Sequence, residues 1–210
     1  YIDKKIQEID GFKVDFSVVK ASYYESLNET DEAIDVLEDI QNHKTFNNNH
    51  RFYLASLFEK EQEYDKATEL IEQILEVDSK NADAYNFLGY SLVERNVNLD
   101  KAYEYLKMAL ELSPENGYIR DSLAWYYYKT GDTQKALKEM KKALSLVEDD
   151  VAINKHMAII YTDLNEFELA KKFIKKALEN VQIDAERREL VNALDSLENK
   201  RKPASFGLKK

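Results

Sequence analysis

Small and apolar positions recur along this chain at a nearly constant spacing. Ala33, Ala67, Ala102, Ala136 and Ala170 are separated by 34, 35, 34 and 34 residues. With that alanine at position 20 of a 34-residue unit, the other apolar positions fall into register. Position 8 is always small: Ala21, Ala55, Gly89, Ala124 and Ala158. Position 11 is Tyr24, Phe58, Leu92, Tyr127 and Tyr161, position 24 is Leu37, Ile71, Leu106, Met140 and Ile174, and position 27 is Ile40, Ile74, Ala109, Ala143 and Ala177.

These spacings predict two helices per unit. Positions 7, 8 and 11 form one stripe of a first helix, and 20, 24 and 27 form one stripe of a second. Small residues at 8 and 20 let two helix backbones approach closely while the larger residues fill the space beside them. Neither helix buries its stripe alone, so neighbouring pairs must stack. The expected architecture is an antiparallel helix-hairpin array.

The motifs within the unit match a known family. The fullest unit runs Asn81-Ala-Asp-Ala-Tyr-Asn-Phe-Leu-Gly-Tyr through Leu99-Asp-Lys-Ala to Ala109-Leu-Glu-Leu-Ser-Pro114, with one residue inserted in the Asn96–Asn98 turn. In the next unit Thr130-Gly131-Asp132 ends the first helix, with Gly131 where a left-handed cap is expected. On these residues the chain resembles tetratricopeptide repeat (TPR) proteins over residues 14–184, as five units: 14–47, 48–81, 82–116, 117–150 and 151–184. The resemblance implies an all-α fold, a right-handed superhelical solenoid of antiparallel helix hairpins. Lys20 stands where the family's first helix has Leu, and four units lack the terminal Pro.

Both ends read in the same register. Ile2, Ile6 and Ile9 lie at i, i+4 and i+7 ahead of Asp10-Gly11, as in the second helix of a truncated preceding unit at 1–13. Residues 185–202 place Leu190, Ala193, Leu194 and Leu197 on one face, with charges elsewhere and Pro203 beyond. That pattern predicts a polar-backed capping helix followed by a tail at 203–210. The chain does not begin with Met, and it reads as a fragment of a longer, bacterial protein.

Composition narrows the picture further. Five Gly and two Pro in 210 residues leave little punctuation for sheets or long loops. Thirty basic against forty acidic side chains give a net charge of −10, which works against a counterion-displacing nucleic-acid surface. No apolar run is long enough for membrane insertion, and no cysteine is present for a disulfide, a thiolate nucleophile or a thiolate metal site. With Gly only at 11, 89, 117, 131 and 207, no phosphate loop, dinucleotide fingerprint or nucleophile elbow can be built. The three histidines, His43, His50 and His156, form no i, i+4 metal pair, and the first two read as surface residues near the loop between units one and two. A non-enzyme without cofactor or metal is the expectation.

The resemblance implies that positions 2, 5, 6, 9, 12 and 13 of each first helix face a concave, ligand-holding surface. In unit four these are Tyr118, Asp121, Ser122, Trp125, Tyr128 and Lys129, one stripe distinct from the packing residues Leu123, Ala124 and Tyr127. Other units add Phe52 and Ser56, Asn86 and Tyr90, and Lys155, His156 and Ile159. Aromatic rings beside an amide and charges suit a bound peptide, and they equally suit packing of Trp125, Tyr90 and Tyr128 on neighbouring first helices. The Lys and Asn pattern of the clamp that grips chaperone C-terminal carboxylates is absent: position 5 reads Val18, Phe52, Asn86, Asp121, Lys155. The leading expectation is a protein-binding scaffold. Two alternatives stand beside it: a self-associating structural array, and the recruiting arm of an enzyme whose catalytic domain precedes Tyr1. Compartment stays open between cytoplasm and bacterial envelope.

Overall fold

A computed structural model describes residues 12–200. The expectations for Ile2, Ile6 and Ile9 and for the 203–210 tail lie outside the described residues. Among those residues the regular structure is entirely α-helical: α1 (Lys13–Ser26), α2 (Thr30–Glu38), α3 (Asn48–Lys60), α4 (Tyr64–Val77), α5 (Ala82–Glu94), α6 (Leu99–Leu112), α7 (Gly117–Lys129), α8 (Thr133–Leu146), α9 (Val151–Asp163), α10 (Phe167–Asn180) and α11 (Asp184–Lys200). None of these helices is long and apolar enough to cross a membrane.

One turn joins the two helices of each pair. Asn28, Gln62, Asn96, Gly131 and Asn165 occupy the same repeat position, and each has positive φ, between 55° and 85°. The backbone N–H two residues after the cap then reaches back over the last turn: Asp132 N to Tyr127 O at 2.8 Å and Glu166 N to Tyr161 O at 2.9 Å. This left-handed closure satisfies carbonyls the helix end would leave orphaned. Glycine is the usual residue there, and asparagine tolerates the same region because its short polar side chain bonds locally. The family-like glycine signal was therefore visible once, whereas the geometry occurs five times.

The starts of α3, α7, α8 and α9 are capped by the Asn or Asp that precedes each of them. Asn116 Oδ1 accepts from Tyr118 N at 2.9 Å, and Asp150 Oδ1 accepts from Ile153 N at 2.9 Å. Asn47 and His50 form a reciprocal box at the start of α3: Asn47 Oδ1 accepts from His50 N at 3.4 Å, while His50 Nδ1 accepts from Asn47 N at 3.0 Å. His50 is thus a structural cap residue.

The chain divides into two compact units, residues 1–91 and 92–210. In the first, α1 packs on α2, α2 on α3 and α3 on α4. Ala21, Ala33, Ala55 and Ala67 are fully buried at the helix crossings, with Leu37, Leu54, Leu57, Ile71 and Ile74 around them. In the second unit α7 packs on α6 and α8, α9 on α8, α7 and α10, and α11 on α10. One core gathers Ala124, Ala136, Met140, Ala143, Ile153, Met157 and Ile160; another gathers Ala158, Ala170, Ile174, Ala177, Val181, Leu190 and Leu197.

Gly117 has a role beyond marking the start of α7. A Cβ on it would lie 2.6 Å from Val147 Cγ2 and 3.2 Å from both Ala143 O and Leu146 Cβ. Valine's branched Cβ leaves little rotamer freedom to withdraw. Gly117→Ala is expected to destabilise the chain by about 1–3 kcal/mol through overpacking, exceeding the helix-propensity gain. A urea melt of the variant checks this; an unchanged or raised midpoint would show that the C-terminal end of α8 yields.

Candidate partner-binding surface

The first helices α7 and α9, with α11 after them, present one surface within the second unit. The repeat brings these helices side by side, one residue out of step, so side chains 35 residues apart meet. Asp121 of α7 faces His156 of α9, with Nδ1 2.9 and 3.0 Å from the two carboxylate oxygens. Because a carboxylate accepts, Nδ1 is the protonated nitrogen and the ring orientation is set. Tyr128 donates its hydroxyl to the Asp163 carboxylate by the same one-repeat step.

Trp125 lies among these pairs. Its ring stacks on His156, with centroids 4.1 Å apart and planes 15° from parallel, and on Tyr128 at 4.8 Å and 24°. The indole N–H donates to the Glu94 carboxylate, and Lys129 Nζ lies 5.6 Å from the ring centroid. Trp125 is 7% exposed, Asp121 7% and His156 9%. Such a ring already has its stacking and its hydrogen bond. It forms a rigid wall and offers a partner little free surface.

The open space lies beside that wall. Between α9 and α11 there is a cavity of about 370 Å3, lined by Ile159, Thr162, Ala193 and Leu197, with Lys155, Asp163 and Glu189 at its charged edges. Ile159, on the side of α9 that borders the cavity, is 36% exposed. Lys155 Nζ approaches Glu189 Oε2 at 3.3 Å. Asp163 joins the two features, since it binds Tyr128 and also borders the cavity.

The nine residues singled out from sequence therefore divide. Asp121, Trp125, Tyr128, Lys129 and His156 come together in one packed cluster, and Lys155 stands at the edge of the cavity next to it. Phe52, Asn86 and Tyr90 belong to the first unit, on α3 and α5, where Phe52 is half-buried. Asn86 Oδ1 is enclosed without a hydrogen-bond partner, so its carbonyl is not presented for a ligand. Sequence reasoning missed Glu94, Glu189, Ala193 and Leu197. Glu189, Ala193 and Leu197 occupy positions 5, 9 and 13 of α11 when the register is run on past residue 184, so the signal was there, masked by reading this helix only as a cap.

Burial, and next the bond to Asp163, push the Tyr128 hydroxyl up to about 12. A raised acid pKa means the folded state holds its proton more tightly than the unfolded chain does. The stabilisation is fully present below the unfolded value of about 10 and is lost as pH rises towards 12. Tyr53, with Glu25 as its partner, and Tyr127, beside Tyr103, are shifted upward as well, in each case chiefly by burial. Following phenolate absorbance against pH should show late-titrating tyrosines, one fewer in Tyr128→Phe, and weakening of the fold between about pH 10 and 12. Normal titration of every tyrosine would contradict the burial of these hydroxyls.

Comparison with known proteins identifies the family. Tetratricopeptide repeat family models match residues 52–117 and 127–194, together well over half the chain. A 68-residue stretch is 34% identical to the general transcriptional corepressor trfA of Dictyostelium discoideum; it makes up 32% of this chain and 5% of the corepressor. The fold is similar to TTC0263, a thermophilic tetratricopeptide repeat protein of Thermus thermophilus, with a TM-score of 0.74 at 20% identity over 90% of this chain and 99% of that one. It is also similar to a chain of the APC/C hetero-tetramer Cut9–Hcn1, at 0.75 and 20% over 95% and 40% of the two chains. Pseudomonas aeruginosa pilF gives 0.63 at 21% identity over 91% and 87%. At these identities the solved structures establish the fold.

Proposed function

Because this chain belongs to the tetratricopeptide repeat family and so is a protein–protein interaction scaffold, we propose that it holds a segment of its partner on the α7–α9–α11 surface, with the cavity between α9 and α11 as the anchor pocket. The observation that carries this reading is an open apolar slot beside a pre-packed aromatic wall. An apolar partner side chain entering the slot would cover Ile159, Ala193 and Leu197 and leave Lys155, Asp163 and Glu189 to meet polar groups at the rim. The Trp125 cluster keeps its shape during binding, so little ordering entropy is lost on that side. The work of the site is recognition.

A phage-displayed library of peptides about 12 residues long, panned against the chain, tests the reading. Selected peptides should share one apolar anchor and lose binding about tenfold or more to Ala193→Trp, which fills the slot, and to Ile159→Asp, which makes it polar. Both positions are solvent-exposed, so thermal melts should be unchanged. Peptides that bind the Ala193→Trp variant as tightly as the parent chain would place the site elsewhere.

A further inference from the structure

The second helices carry a charge pattern that partner binding in the α9–α11 slot does not use. Residues 1–91 hold 20 acidic and 9 basic side chains, net −11, whereas residues 92–210 hold 20 and 21, net +1. The whole negative charge of the chain therefore belongs to one unit. The imbalance is concentrated at two repeat positions three residues apart on each second helix. They read Asp35 and Glu38 on α2, then Glu69 and Glu72 on α4, then Glu104 and Lys107 on α6. On α8 they are Lys138 and Lys141, and on α10 Lys172 and Lys175.

All ten side chains are exposed except Glu38, which is half-buried. Lys138, Lys141 and Lys175 have no ion pair among the described residues. Charges at i and i+3 share one helix face, and the same two positions on successive second helices repeat that face one unit further on. The α2/α4 quartet and the α8/α10 quartet thus have the same construction with opposite sign.

We propose that this chain self-associates head to tail, the α8/α10 lysine face of one copy docking on the α2/α4 acidic face of a second copy. The contact is heterologous: each added copy uses one face and presents the other, which builds a ring or a filament according to the rotation between copies. Complementary potentials of this kind bring copies together and set register, and salt weakens them because every charge involved is at the surface. Slot binding and this association use different residues, so either can fail without the other.

Sedimentation velocity of the intact chain at about 5 to 200 µM tests the proposal, at about 20 and 300 mM NaCl, where the screening length falls from about 20 Å to about 6 Å. Average mass should rise with protein concentration in low salt, and the apparent association constant should drop at least tenfold in high salt. Lys138→Glu/Lys141→Glu and Glu69→Lys/Glu72→Lys should each associate at least tenfold more weakly in low salt, and their 1:1 mixture should regain association, because the intact acidic face of the first variant meets the intact lysine face of the second. Circular dichroism of each variant confirms that it is folded. A wild-type chain that stays monomeric at low salt overturns the proposal, even if its lysine face then holds anionic vesicles. Association that survives the reversals, or a mixture that does not recover, overturns it too.

Discussion

Trp125→Ala is expected to cost about 3–5 kcal/mol, although position 125 reads from sequence as a ligand-facing one. The ring is 7% exposed, stacks on His156 and Tyr128, and binds Glu94 through its N–H. Truncation removes the stacking, opens a void and strips Glu94 of its partner, three separate costs. Trp125→Phe keeps a ring in the stack and loses only the N–H, so it should cost clearly less than the alanine variant. Urea unfolding of the three proteins checks the order. A Trp125→Ala midpoint within error of the parent would mean that the cluster is a loose surface arrangement. Since Trp125 is the only tryptophan, its emission also reports on this cluster alone.

Met140→Ala should cost about 2–5 kcal/mol and change how the second unit unfolds. Met140 is fully buried on α8, where the α7–α8 hairpin meets Ile153, Met157 and Ile160 of α9. In a stacked array each pair is held by its own packing and by its interface with the next, so a void at that interface weakens the coupling term. The α9–α11 end should then open ahead of α7–α8, visible as faster amide hydrogen exchange there or as a second unfolding transition. A single transition with uniformly raised exchange would show that the interface is not where the stability of the second unit is divided.

Much of the array is legible in the sequence. The alanine periodicity is a direct record of helix crossings: a methyl group is what two backbones in contact can accommodate, and Ala33, Ala67, Ala102, Ala136 and Ala170 are all fully buried. The left-handed turn was legible only at Gly131, because asparagine and glutamine reach the same conformation without announcing it. The constraint on Gly117 leaves no mark in the sequence, since it comes from Val147 and Ala143, 30 and 26 positions along the chain. At His50 the sequence pattern suggested an ordinary surface residue, whereas its ring nitrogen accepts the Asn47 N–H.

The candidate site divides along the same line. A helical wheel put Asp121, Trp125, Tyr128 and Lys129 on one stripe, and the repeat added Lys155 and His156. Which of them stay available depends on what stands on the next first helix, because α7 and α9 are packed closely enough for their side chains to touch. Spacing alone determined the helices and their pairing, since each follows from local periodicity and the need to bury it, and the family resemblance supplied the candidate ligand-facing stripe. Only the tertiary structure decided that Trp125 is consumed by Glu94, Tyr128 and His156 while the space between Ile159 and Ala193 stays open. Whether a side chain is free depends on the distances and angles to neighbours remote in sequence, and a one-dimensional pattern carries no such information.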